Sequence, residues 1–119
     1  MGSSQKIGSE GEDQAAAFLV REGYTIVCRN FRYRKAEIDI VARTGDTLVV
    51  VEVKTRTGGF YEAPTDSIPR TKINRLVAAA HHFSLESGLT LEVRFDIIQI
   101  LRDEGGYRLV HLEDAFYFF

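Results

Sequence analysis

Four ionisable residues lie in the stretch EIDIVARTGDTLVVVEVK, residues 37 to 54: Glu37, Asp39, Glu52 and Lys54, each set among Ile, Val and Leu. Charge in a half-buried sheet is costly unless something pairs it. Thr44-Gly45-Asp46-Thr47, in the middle, has Gly followed by a polar residue, the signature of a two-residue type II′ hairpin loop. With Gly45 and Asp46 as the loop, Thr44 faces Thr47. Counting outward then places Asp39 opposite Glu52 and Glu37 opposite Lys54. Side chains alternate along a strand, so all four charges share one face, with Ile38, Ile40, Val51 and Val53 on the other.

Directly opposed residues have Cβ atoms about 4.5–5.5 Å apart. Two carboxylates at that separation repel, so either one holds a proton or a cation sits between them. A hard divalent ion such as Mg²⁺ takes oxygen ligands of this kind. Lys54 points to the same side, where an ammonium can neutralise developing charge or orient a water. Glu37 and Lys54 also satisfy the plainer description of a cross-strand ion pair.

The elements that carry these residues are legible from periodicity. Ala15, Phe18 and Leu19 recur at helical spacing in a segment from about Gly8 to Glu22, with Gly23 as its stop. YTIVCRNFRY, residues 24–33, alternates and is rich in β-branched and aromatic residues, which predicts a strand. The hairpin supplies two more. RTGGFYEAPTDSI, residues 56–68, is a loop broken by Gly58, Gly59 and Pro64. Ile73, Leu76, Val77, Ala80 and Phe83 mark an amphipathic helix from about Pro69 to Glu86, ended by Gly88. TLEVRFDIIQIL and YRLVHLED predict two final strands. The order αβββαββ makes the chain an α/β protein, a single domain over residues 1–119 with a central mixed sheet of about five strands flanked by helices.

Composition bounds the rest. The chain is 45% hydrophobic and 27% charged, enough for a soluble core, and has no apolar run long enough to span a bilayer. The polar N-terminus MGSSQKIGSEGEDQ has no signal-peptide core, so a cytoplasmic location is expected, with no membrane contact. The lone Cys28 gives neither a disulfide nor a metal pattern and is read as a small buried hydrophobe. Net charge is -2, yet RNFRYRK, KTR and PRTKINR cluster Arg32, Arg34, Arg56, Lys72 and Arg75, the makings of a local basic patch.

Taken in order, GSEGEDQAAAFL, GYTIVCRNFR, EIDIVA, VVVEVKTR, TKINRL and RFDIIQI resemble the YraN-like family of small bacterial proteins over nearly the whole chain. EIDIVA followed by VVVEVKTR resembles the Asp-gap-Glu-x-Lys core of the PD-(D/E)XK nuclease superfamily, in a form similar to archaeal Holliday-junction resolvases. The resemblance implies a restriction-endonuclease-like fold and a metal-dependent endonuclease acting on DNA, branched or containing single strands. It implies Asp39 and Glu52 as metal-binding carboxylates, with the Val53 carbonyl and Glu12 completing the site for Mg²⁺ or Mn²⁺. Lys54 takes the place of the catalytic lysine. Arg32, Arg34, Arg56, Lys72 and Arg75 are the candidate DNA contacts, and a homodimer is compatible with all of this. The superfamily also contains inactive members, so a nucleic-acid-binding module that does not cleave is the rival, and a protein-interaction domain docking through the C-terminal DAFYFF is a third reading.

Three positions carry competing expectations. Ser9 stands three residues before Glu12, which fits a capping box. Alternatively the helix starts earlier, near Lys6, and turns Glu12 toward the sheet; the resemblance favours this. His81 and His82 are adjacent and so point about 100° apart on a helix, which makes them surface or helix-edge residues and not a metal pair. Asp96, polar in an apolar strand, is expected to be hydrogen-bonded at an edge or strand end.

Overall fold

Gly45 adopts φ 56° while Asp46 stays out of the positive-φ region, the combination a type II′ loop demands. The computed structural model describes residues 2–57, 68–88 and 91–116, with side chains from Ser9 onward. Seven elements follow the expected order: α1 (Gly2–Arg21), β1 (Thr25–Tyr33), β2 (Ala36–Thr44), β3 (Thr47–Thr57), α2 (Arg70–Ser87), β4 (Glu92–Asp103) and β5 (Gly106–Leu112). The five strands form one sheet in sequential order. Only β3 and β4 run parallel; the other pairs are antiparallel, so the sheet is mixed. A parallel neighbour needs a crossover, and α2 lies between β3 and β4. Among the described residues, no helix is long and apolar enough to cross a membrane.

Each face of the sheet buries its own core. Ala15 and Leu19 of α1 pack with Ile40, Ala42, Val49, Val51, Ile98 and Ile100. Leu76, Ala79 and Ala80 of α2 pack with Ile38, Val41, Leu48, Val50 and Ile97, joined by Phe116 from the C-terminal segment. Ala15 and Leu19 stand one helical repeat apart on α1, and Leu76 and Ala80 likewise on α2, so each helix presents one apolar stripe to its sheet face. Phe116 lies 5.2 Å from Phe95, centroid to centroid, so this aromatic covers the core. Residues 117–119 of DAFYFF, and residues 58–67 of the loop after β3, fall outside the described residues.

The helix starts earlier than the periodicity indicates, at Gly2, so Ser9 is helix interior and cannot be an N-cap. The capping-box reading of Glu12 therefore falls. Further along α1, Gly11 lies against Thr55 of β3, where a Cβ would collide with the threonine Oγ1. Gly11→Ala gains up to about 1 kcal/mol of helix propensity but meets a β-branched side chain that cannot swing away. Overpacking costs about 1–3 kcal/mol, so the collision outweighs the gain. A lower melting temperature is expected for Gly11→Ala, and an unchanged or higher one would mean that α1 does not approach β3 at this point.

Two expectations about the sheet need correction. Cys28 is only half-buried, although it packs on the α2-side core. Asp96 is at neither an edge nor a strand end. It lies inside β4, fully buried, and its carboxylate accepts from Arg94 Nε and Nη2, the Asp114 amide and His111 Nε2. Burial alone would raise its pKa, but the hydrogen bonds from His111 and Arg94 outweigh it and hold the carboxyl below its ordinary value.

Candidate metal and phosphodiester site

The hairpin keeps the expected register from Thr44↔Thr47 to Ile40↔Val51, and there the ladder ends. Asp39 and Glu52 are the next residues out, but they do not pair through their backbones. Instead Asp39 turns its carboxylate into the seam, and Oδ2 accepts the Val53 amide at 2.8 Å. The cause lies in the neighbouring pair of strands. Asn30, which the β1–β2 register would set opposite Asp39, has φ 55°, and both strands flip faces there. Ile38 belongs to the α2-side core and Ile40 to the α1-side core, although strict alternation puts them on one face. The expectation of four charges on one uninterrupted face is thus corrected: β2 breaks at Asp39, and the break aims its carboxylate at β3.

Glu37 is drawn the other way. It pairs with Arg32 across β1, with Nε donating to Oε2 at 2.8 Å, so the expected Glu37–Lys54 ion pair does not form. The β2–β3 ladder has already ended before Glu37 reaches Lys54. Arg32 is highly exposed, and such a surface pair is worth about 0–1 kcal/mol.

Glu52 is 7% exposed. Its Oε1 accepts from Lys72 Nζ of α2 at 3.2 Å, while Oε2 is buried with no hydrogen-bond partner. Asp39 stands beside it, and burial first, then the charge of Glu52, pushes the Asp39 carboxyl up to about 8. Two carboxylates are both acceptors, so neither satisfies the other unless a proton or a cation lies between. Lys54 is half-buried on the same side. Burial, and then the neighbouring Lys72 ammonium, lower its pKa, with Glu52 acting in opposition.

Glu12 faces the sheet from α1, and its charge adds a small push to Asp39. Its carboxylate is nevertheless bound to Arg29 of β1 at 3.2 Å, and the same guanidinium takes Asp13 at 2.9 Å. Among the described residues, no cluster of three metal-ligating side chains forms. The acids brought together are therefore Asp39 and Glu52, while Glu12 is held by Arg29.

Two functional features were not read from the sequence in this role. Lys72, expected at a phosphate, is the partner of Glu52; a lysine in the first turn of a helix after a long loop gives no sign of which strand it meets. Arg29 stood in the basic run, yet its partners are acids. Of the remaining cations, Arg56 is half-buried and donates to the Thr55 carbonyl, while Arg34 and Arg75 are exposed near the first half of α2.

The donor set of Asp39, Glu52 and the Val53 carbonyl is all oxygen, carries two acids and includes one buried oxygen without a partner, which suits a hard divalent cation. Fold and site together define an α/β domain with a mixed sheet whose central hairpin splits at an acid pair. The family model described as "Uncharacterised protein family UPF0102" matches residues 11–100, and the chain belongs to that family. A UPF0102 protein of Christiangramia forsetii is 40% identical over 119 residues, all of both chains. One of Parabacteroides distasonis is 42% identical over 117 residues, 98% of this chain and 97% of its own. One of Anaeromyxobacter dehalogenans is 41% identical over 113 residues, 94% of this chain and 84% of its own.

Proposed function

We propose that the protein is a Mg²⁺- or Mn²⁺-dependent phosphodiesterase acting on DNA. The observation that carries this reading is the buried, unpartnered Oε2 of Glu52 beside Asp39, whose carboxyl the charge of Glu52 pushes up even with Lys72 on the other oxygen. Asp39, Glu52 and the Val53 carbonyl would hold the ion. Such an ion supplies an activated water and positive charge to offset that of the scissile phosphate. Lys54 orients the water or stabilises charge developing on the phosphate. Lys72, beside both Lys54 and Glu52, adds a second cation facing the phosphate. Glu12 acts from behind Arg29, through a water. Arg34 and Arg75 hold backbone phosphates, the sequence-independent part of DNA binding.

One observation favours the rival reading, a nucleic-acid-binding module that does not cleave: Lys72 already neutralises Glu52, and Arg29 holds Glu12. The experiment that separates them is cleavage of linear, flap and four-way DNA by the full chain with Mg²⁺, with Mn²⁺ and with EDTA. Metal-dependent products support the phosphodiesterase. Binding of the same DNA with no products under any metal condition supports the module.

A further inference from the structure

A second site adjoins the acid pair, beside the cations assigned above to backbone phosphates. Three aromatic rings pile where β1 meets α2. His82 stacks on Tyr33 at 4.2 Å between centroids and 22° between planes, and Phe31 is nearly parallel to His82 at 6.4 Å. Tyr33 is thus the last ring of the pile. Beyond it opens a cavity of about 260 Å³ lined by Tyr33, Arg34, Lys35, Ala36, Arg75 and Ala78. The Arg34 guanidinium already lies over the Tyr33 ring, 5.2 Å from its centroid. Among the described residues, Arg34, Lys35 and Arg75 make no ion pair with a carboxylate. A cavity bounded by the Tyr33 ring and rimmed by three such cations is complementary to a planar heterocycle attached to an anionic backbone.

The cavity is also connected. A neighbouring one of about 310 Å³ shares Lys35, Ala36 and Arg75 with it and continues past Glu37, whose charge Arg32 pairs, to Thr71 and Lys72. Lys72 is the residue that touches Glu52. A strand whose base enters the first cavity therefore runs its phosphates past Lys35 and Arg75 toward Lys72 and the acids.

We propose that the Tyr33–Arg34–Arg75 cavity receives the base of an unpaired nucleotide, which takes the place of the Arg34 guanidinium over Tyr33, in the strand that runs to the acid pair. This rests on the reading of that pair as a phosphodiesterase site and names its substrate class: DNA with single-stranded or unstacked nucleotides. A base held in a duplex cannot leave its stack to reach Tyr33 without the cost of unpairing.

The test uses the full chain in EDTA, so that no cleavage intervenes. The probe is a single-stranded oligonucleotide with one internal 2-aminopurine; the same strand annealed to its complement is the control. Binding is expected to change the fluorescence of the unpaired probe. Ala78→Phe fills the cavity from an exposed helix position and removes no charge. It is expected to weaken single-strand binding about tenfold and abolish the fluorescence change, with duplex affinity unaltered. Tyr33→Leu removes the ring and should do the same, each variant checked by thermal melt. Single-strand affinity and probe response unchanged in folded Ala78→Phe would overturn the proposal, as would wild-type protein that gives no probe response. Cleavage of the same strands in Mn²⁺ is measured separately. Cleavage without the probe response rejects the base site and leaves the phosphodiesterase standing; the probe response without cleavage does the reverse.

Discussion

Between pH 4 and pH 8 the metal-free protein is expected to lose stability, and Asp39→Asn is expected to abolish that loss. Asp39 has an ordinary pKa of 3.8 and is pushed up to about 8 in the folded chain, by burial first and by Glu52 second. An acid whose folded pKa exceeds its unfolded value binds its proton more tightly when folded. Its stabilising contribution is therefore complete below about pH 4 and is lost as pH rises through about 8. One such proton gives at most about 1.4 kcal/mol per pH unit within that window. Asn keeps an oxygen for the Val53 amide and has nothing to titrate. Asp96 works in the opposite sense and in a different window: its lowered pKa contributes stability above about pH 4 that is lost on acidification. Denaturant melts of wild type and Asp39→Asn at unit pH steps read both slopes. Parallel curves for the two proteins would remove Asp39 as the titrating group.

Lys54→Ala is expected to lower the cleavage rate about 100- to 1000-fold, the usual loss when one charge-stabilising donor is removed, while Mn²⁺ affinity stays close to wild type. The split follows from position. Lys54 lies beside Glu52 and Lys72 and is not among the proposed ligands, so its loss leaves Asp39, Glu52 and the Val53 carbonyl in place. Single-turnover rates with saturating metal, set against metal titrations of the same protein, check it. An equal loss of metal affinity would assign Lys54 to holding the acids and not to the phosphate.

The hairpin register was legible because turn chemistry fixes it: Gly45 followed by Asp46 leaves one loop length, and Thr44↔Thr47 through Ile40↔Val51 follow. The break at Asp39 was not legible. Alternation assumes an unbroken strand, and the left-handed Asn30 that accompanies the break lies in another strand of the sequence. The start of α1 was hidden for a different reason: Ser9 and Glu12 carry the pattern of a cap, and only packing, with Gly11 against Thr55, shows that the helix passes through them. The acids themselves were visible because charges in apolar strands need a cause. Their partners Lys72 and Arg29 were not, since which cation reaches which acid depends on how α2 and β1 lie against β3 and α1.

A divalent cation is the proposed reason that acids occupy these strands. Calorimetric titration of Mn²⁺ into wild type and Glu52→Gln at pH 8 tests that directly, since Gln keeps the shape of Glu52 and removes the charge that opposes Asp39. One ion bound per wild-type chain and none in Glu52→Gln is the expected result. Mn²⁺ binding with the same affinity in both proteins, or in neither, would contradict it.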